Sequence, residues 1–192
     1  MQDAPEIISN KVTQICQQAI DSFSNSLQNP RQIISYIDCN TLDTNYLNNN
    51  IRDAPLFLKM FDELTKNDPP FVYWFEILHG PDSQTIHQRI SKYKETSVRG
   101  VPALRKLKEY NSRILYVGKS TVGFWGRLIT HLGYLSGKGT TQGLQLDHWT
   151  KDLCLELQLN ILRFPPAMAD YLSIVEYALA KELQPIIGKH RR

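Results

Sequence analysis

Apolar and polar positions alternate along the chain in patterns that separate helices from strands. The apolar positions of residues 5–28 recur at spacings of three and four, which predicts an amphipathic helix. They are Ile8, Val12, Ile15, Ala19, Phe23 and Leu27. Asn, Asp and Thr crowd residues 40–50 and predict a loop, and a short helix is expected after Pro55. Pro69 and Pro70 then interrupt the chain, since the residue before a proline is driven out of helical geometry. We therefore predict a helical N-terminal extension over 1–68 and a second domain over 69–192.

The second domain shows three extended stretches and several helical ones. FVYWFEIL (71–78) and RILYVG (113–118) are rich in aromatic and β-branched residues, and LCLELQLNILRF (153–164) alternates apolar with polar positions. Helical patterns occupy 83–95, 103–110, 122–135 and 167–184, and a glycine-rich loop follows the third of them. This order predicts an α+β fold in which helices flank a small three-stranded sheet.

Composition is that of a folded protein, and it excludes several classes. Hydrophobic residues make up 42% of the chain and charged residues 21%, which is typical of globular domains. The three cysteines are widely separated and form no C-x-x-C pair, so no disulfide framework or zinc site is predicted, and a reducing cytoplasmic compartment is expected. The N-terminal residues lack the pattern of a signal peptide, and no apolar run is long enough to cross a bilayer, so no membrane role is expected.

Charge is distributed unevenly along the chain. The first 70 residues carry 5 Lys and Arg against 9 Asp and Glu, whereas the remaining 122 carry 17 against 10. The segment 80–113, called here the basic insert, holds 8 basic residues against 3 acidic ones. Such a surplus suits a polyanionic partner such as a phosphate backbone, although a solvated basic surface explains the charge equally well.

Five residues that suit phosphodiester chemistry follow one another in a distinctive order. Tyr73 lies in the first predicted strand and Tyr116 in the second, within LYVGKS. Arg127 and His131 then lie four residues apart on one helix, so their side chains share a face. Glu176 follows on the last helix, in IVEYALAKELQP. Over about the last 120 residues, this order resembles the GIY-YIG nuclease family.

The resemblance implies a DNA endonuclease that uses Mg²⁺ or Mn²⁺. Glu176 is then the metal ligand, because hard cations prefer carboxylate oxygens, and Arg127 stabilises the charge on the phosphate. Tyr73, the favoured base, and Tyr116 orient or deprotonate the attacking water, and His131 accepts the proton. A tyrosine base requires a depressed pKa, for which Arg127, Lys119 or the metal would be responsible.

The resemblance also bears on partners, and it leaves one alternative open. Double-stranded DNA is the expected substrate, and contacts are expected from Lys119 and from basic-insert residues Arg89, Lys92, Arg99 and Arg105. With no long separate DNA-binding tail in the sequence, a restriction-type enzyme is favoured over a homing or repair enzyme, and cutting both strands of a palindrome favours a homodimer. The first motif has Phe71 and Val72 in place of the usual glycine and isoleucine, and Gly188 replaces a common asparagine. These departures motivate the alternative of a catalytically silent module that binds nucleic acid or protein.

Each residue also has an ordinary structural interpretation. A tyrosine in an aromatic strand is by default a core residue, and Arg127, His131 or Glu176 alone would suit a solvated helix face. GKST at 118–121 imitates the end of a phosphate-binding loop, but that motif requires glycine where Arg113 stands. The nuclease hypothesis therefore depends on the order and spacing of all five residues.

Overall fold

The computed structural model describes residues 4–28, 31–42, 51, 54–65, 70–97, 100–106, 111–134 and 142–188. Within these ranges the elements are, in chain order, α1 (Ala4–Gln28), β1 (Arg31–Asp38), α2 (Pro55–Thr65), β2 (Phe71–His79), α3 (Ser83–Thr96), β3 (Ile114–Ser120), α4 (Phe124–Leu132), α5 (Leu146–Trp149), β4 (Glu156–Arg163) and α6 (Leu172–Leu183). Short 3-10 turns at Cys39–Thr41 and Pro166–Tyr171 complete the described structure.

The four strands form one antiparallel sheet in the order β1-β4-β2-β3. The mixed α and β character is as predicted, but the prediction of three strands was wrong by one. The additional strand is β1, which comes from the extension that was expected to be helical. It pairs along its whole length with β4, from Arg31 opposite Arg163 to Asp38 opposite Glu156. The extension therefore contributes an edge strand to the sheet.

Both faces of the sheet are covered, which explains the nearly continuous apolar sequence of β2. Phe71, Tyr73 and Phe75 are fully buried in the larger core, beneath α2, α3 and α4. Val72 lies on the opposite face and joins a smaller cluster with Phe164, Met168 and Leu172. A strand buried on both faces loses the alternation of a half-exposed one. The aromatic density of β2 is thus a consequence of its central position.

Two further differences from the sequence-based prediction lie near the site. Residues 103–106 were expected to be helical, but none of them is, and Leu104 forms an isolated bridge with Ile187. Residues 107–110 lie outside the described residues. The short helix α5 was not predicted, because a helix of four residues shows no periodicity. Among the described residues, no helix is long and apolar enough to span a membrane.

Candidate active site

Tyr73 and Tyr116 lie close together because both rings pack over a glycine, Gly118, on the sheet. Tyr73 lies opposite Gly118 in the β2–β3 register, and Tyr116 is two residues before Gly118, on the same face. A Cβ atom on Gly118 would lie 2.6 Å from the hydroxyl oxygen of Tyr73 and 2.7 Å from the ring of Tyr116. Only the absence of a side chain at 118 allows both rings to pack over this strand. The glycine in LYVGKS therefore shapes the site.

Arg127 contacts both tyrosine hydroxyls from the first turns of α4. Its Nε donates to the Tyr73 hydroxyl at 3.3 Å, and one terminal nitrogen donates to the Tyr116 hydroxyl at 3.4 Å. The other terminal nitrogen donates to the main-chain carbonyl of Gln142 at 2.7 Å. A guanidinium has five N–H groups, so these contacts use three. The two others, one on each terminal nitrogen, match a pair of phosphate oxygens.

His131 is buried completely, one helical turn after Arg127, and contacts the same hydroxyl. Its Nε2 lies 2.8 Å from the Tyr73 oxygen, and its Nδ1 accepts the backbone N–H of Leu144 at 3.1 Å. Burial, reinforced by the charge of Arg127, holds the pKa of His131 well below its usual value, so the ring is neutral. Because Nδ1 is occupied as an acceptor, the single ring proton lies on Nε2, which donates to Tyr73. This geometry opposes the expected role of His131 as proton acceptor.

The segment 142–145 holds both Arg127 and His131 in place, and sequence reasoning missed it. Its contacts with them come from main-chain atoms, the carbonyl of Gln142 and the N–H of Leu144. Between these two residues, Gly143 packs so tightly that a Cβ would lie 2.5 Å from the Thr130 carbonyl oxygen. The Leu144 carbonyl accepts the indole N–H of Trp149 at 2.7 Å. The only sequence signal was Gly143, within a run that indicated a loop.

The two tyrosines differ in their access to solvent. Tyr73 is 0% exposed, and Tyr116 keeps 8% of its surface exposed. Burial raises the pKa of Tyr73 more than the adjacent Arg127 lowers it, so the hydroxyl is neutral. Burial also raises the pKa of Tyr116, against the opposing effects of Arg127 and of a hydrogen bond from Tyr73. The depressed tyrosine pKa that a base requires is therefore absent from the protein alone.

Glu176 lies beside this cluster on α6, which packs against β3 and β2. Its charge raises the pKa values of both Tyr73 and Tyr116. Burial raises the pKa of Glu176 itself, while Lys119 and Arg127 lower it through charge and without a hydrogen bond. The ammonium of Lys119 donates to the hydroxyl of Ser173, one turn earlier on α6. Lys119 therefore belongs to the cluster and lies beside Glu176.

The donor set around Glu176 fits a hard divalent cation bound through few protein ligands. Among the described residues, no group of three or more His, Cys, Asp or Glu side chains is placed to enclose a metal ion. Mg²⁺ commonly keeps several waters and takes one or two carboxylates together with substrate phosphate. A half-buried carboxylate that interacts with its neighbours only through charge suits that mode of binding. It does not suit zinc, which needs three or four protein ligands.

Gly188 has a backbone reason to be glycine. Its φ is +114°, a value that side chains rarely adopt, and its N–H donates to the carbonyl of Ala103 at 2.8 Å. The preceding Ile187 donates its N–H to the Leu115 carbonyl beside the site strand. An asparagine at 188 would be strained in this conformation. The departure from the family pattern at this position therefore accompanies a particular local backbone.

Several basic residues of the insert are engaged in the fold. Arg105, one of the predicted DNA contacts, donates to the carbonyl of Ala180 at 3.2 Å, near the C-terminal end of α6. Arg113 binds the carbonyls of Ile77 and Leu78 at 3.0 and 2.6 Å. Cations are favourable near a helix C-terminus, because the helix dipole is negative there. The structure therefore favours a stabilising role for Arg105 over the expected DNA contact.

Arg89 and Lys92 are exposed on α3 and line a shallow groove with residues from the end of α5. The groove is lined by Arg89, Lys92, Tyr93, Thr96, His148, Trp149, Lys151 and Asp152. Arg89 reaches across it and donates to the carbonyl of Lys151 at 3.3 Å. Lys151 thus adds a cation that the sequence analysis did not single out. Arg99, the remaining predicted contact of the insert, lies outside the described residues.

Comparison of the chain with protein-family models, with curated proteins and with solved structures found no match in any of the three. The motif order described above therefore remains a resemblance. The function is argued below from the site itself.

Proposed function

We propose that this protein is a metal-dependent DNA endonuclease. The observation that carries the proposal is the convergence of Arg127 and His131 on the hydroxyl of Tyr73, beside Tyr116 and Glu176. These residues come from two strands and two helices, and polar groups as deeply buried as Tyr73 and His131 are costly unless each is paired. A merely structural core would gain more from apolar side chains at these positions. The arrangement therefore suits chemistry on a phosphodiester.

Arg127 is the residue that we assign to the phosphate. Its contacts with the two hydroxyls and with Gln142 hold the guanidinium rigidly before any substrate binds. The remaining N–H on each terminal nitrogen can bind two phosphate oxygens in parallel, with little reorganisation during the reaction. Arg127 thereby stabilises the negative charge that grows on the phosphate as water attacks.

We assign the Tyr116 hydroxyl as the group that contacts the attacking water, and we assign Tyr73 as the residue that positions Tyr116. Tyr116 keeps exposed surface, whereas Tyr73 is closed off from solvent. His131 Nε2 and Arg127 Nε donate to the Tyr73 oxygen, and Tyr73 in turn donates a hydrogen bond to Tyr116. Hydrogen bonds that point in one direction along such a chain favour negative charge at its end. The chain thus stabilises the tyrosinate form of Tyr116, which forms by loss of the hydroxyl proton to solvent and then takes a proton from the attacking water.

Glu176 would hold the divalent cation, Mg²⁺ or Mn²⁺, which when bound neutralises phosphate charge and lowers the pKa of coordinated water. Lys119 lies beside Glu176 and is held by Ser173, so it can contact a neighbouring phosphate of the same strand. The groove containing Arg89, Lys92 and Lys151 is the site that we assign to the DNA backbone away from the cut. A type II restriction enzyme is the favoured biological role.

The experiment that tests the proposal is cleavage of supercoiled plasmid by the purified full chain. We expect nicked or linear product with Mg²⁺ or Mn²⁺, and none with EDTA. The matched control is the Arg127→Lys variant, which keeps the charge but loses the planar fork. Metal-independent cleavage, or equal cleavage by this variant, would show that the activity does not come from this site.

The second candidate is a silent module that binds nucleic acid without cutting it. It is favoured by the complete burial of Tyr73 and by the raised pKa values of both tyrosines. Binding that weakens with salt, without cleavage of diverse DNA sequences under several metals, would support it over the nuclease.

A further inference from the structure

Helix α1 carries an apolar stripe that the other described residues leave uncovered. Ile8, Val12 and Ile15 are 63%, 54% and 53% exposed, and every residue from 7 to 18 is exposed. Among the described residues, contact with the protein body comes from the C-terminal half of the helix, where the Phe23 ring lies 6.3 Å from that of Tyr171. Most of the helix therefore extends beyond the body.

The stripe follows the spacing by which two helices pack together. Ile8, Val12, Ile15 and Ala19 are separated by four, three and four residues, which is the alternation of a coiled-coil seam. The polar side has partners within the helix: Thr13 donates to the Ser9 carbonyl at 3.0 Å, and Gln17 donates to Asp21 at 2.9 Å. A helix in isolation is marginally stable and gains most of its stability from covering such a stripe. The helix is thus built to pack against something.

The charge of α1 decides between its conceivable partners. Between residues 7 and 25 the helix has one cation, Lys11, and one anion, Asp21. A DNA backbone or an anionic lipid surface is recognised by several basic residues on one face, which this helix lacks. A second copy of the same helix does not require basic residues, and two nearly uncharged surfaces do not repel each other. We therefore expect no DNA contact from this helix.

We propose that α1 is a dimerisation element, and that its occupant is α1 of a second copy of this chain. The pair is two-fold symmetric, with the same stripe on both copies. Residues 4–20 extend for about 25 Å at a rise of roughly 1.5 Å per residue. Two helices packed along that length would bury roughly 1,000 Å² in total, which is the lower limit for a specific interface. We therefore expect a weak dimer, with a dissociation constant on the order of micromolar.

The test is sedimentation velocity of the full chain, without DNA or metal, at concentrations from about 1 to 100 µM, the range in which such a dimer forms. We expect a concentration-dependent dimer. Ile8→Gln with Ile15→Gln should weaken association on the order of 100-fold, because large apolar anchors carry most of the energy of an interface. Circular dichroism at high concentration checks that the body of the variant remains folded.

The same helix offers a matched control. Ile7 and Ile20 are 41% and 55% exposed but lie off the stripe, so Ile7→Gln with Ile20→Gln should leave the dimer unchanged. A native protein that is monomeric throughout this range overturns the proposal and leaves the stripe to a different protein. A stripe variant that dimerises like the native chain, or a control variant that is weakened equally, also overturns it. The measurement uses no substrate, so its failure would not affect the proposed nuclease activity.

Discussion

The tyrosine–arginine cluster and the basic insert were both predicted from the sequence, and they fared differently. In the cluster, Tyr73, Tyr116, Arg127 and His131 lie within one hydrogen-bonded group. In the insert, Arg105 holds a helix end, and Arg89 remains exposed in the groove. Order and spacing specify geometry, because each residue occupies a defined place on a strand or helix. A count of charges does not specify which cations remain available to a ligand.

Glu176→Gln tests the cluster most severely. It removes the negative charge assigned to the cation while keeping the size of the side chain, so cleavage should fall at least about 1,000-fold, with the fold unchanged. Plasmid cleavage with Mg²⁺ and with Mn²⁺ measures the effect. Glu182→Gln, an exposed carboxylate on the same helix, is the control and should retain full activity. Full cleavage by Glu176→Gln would remove this residue from the metal site.

Arg127→Lys separates charge from geometry within the cluster. Lysine retains the positive charge but cannot contact two hydroxyls, a carbonyl and a phosphate together, so kcat should fall about 100- to 1,000-fold. Single-turnover cleavage measures the change, and DNA binding should be nearly unaltered. A variant with lowered affinity and native kcat would indicate that Arg127 serves binding alone.

Gly118→Ala examines whether the close packing of the two tyrosines matters. The added Cβ would press on both rings, so we expect a loss of about 1–3 kcal/mol in the free energy of unfolding. Displaced hydroxyls should also lower cleavage about 10- to 100-fold. Denaturant unfolding and cleavage assays provide the two measurements. Gly126→Ala is the control, since a Cβ there meets nothing within 4 Å. Equal behaviour of the two variants would contradict the packing argument.

Arg89→Ala with Lys92→Ala tests which cations of the insert contact DNA. If both bind phosphates, the log–log salt slope of binding should fall by about 1.8, at roughly 0.9 per contact. Fluorescence anisotropy on duplex DNA at several salt concentrations measures the slope. An unaltered slope would assign the groove to solvent or to a protein partner.

Arg105→Ala should have the smallest effect, and the effect should be on stability and not on DNA binding. Loss of its bond to the Ala180 carbonyl should reduce the free energy of unfolding by about 1 kcal/mol, while the salt slope stays native. Denaturant unfolding and the same anisotropy titration distinguish the two roles. A reduced slope with native stability would restore Arg105 to the DNA interface.

The elements that the sequence predicted well are those whose own residues determine them. Strand β2 follows from its aromatic and β-branched composition and helix α4 from its periodicity, and the i, i+4 spacing of Arg127 and His131 brings both to one hydroxyl. Strand β1 was missed, although Ile33, Ser35 and Ile37 alternate with the exposed Ile34 and Tyr36 in the manner of a strand. The apolar side chains of Ile34 and Tyr36 on the exposed side obscure that alternation, because apolar residues then occupy both faces of the strand.

The failures have tertiary causes. Residues 103–106 have helical propensity, but the bridge between Leu104 and Ile187 and the bond from the Arg105 N–H to the Ile186 carbonyl provide a non-helical alternative. The tautomer of His131 could not be predicted from the sequence, because it depends on the Leu144 N–H, which is distant along the chain. No local pattern can reveal either contact, since both depend on how separate segments meet.

The segment 142–145 has a consequence for how such a site tolerates variation. It supports Arg127 through a carbonyl and His131 through an amide, and every residue type except proline supplies both groups. The exposed side chain of Gln142 can therefore be substituted without loss of this contact or of activity. Alanine scanning would miss this support altogether. Replacing the Leu144 amide by an ester through chemical ligation would reveal it, because that exchange deletes the donor and leaves the side chain intact.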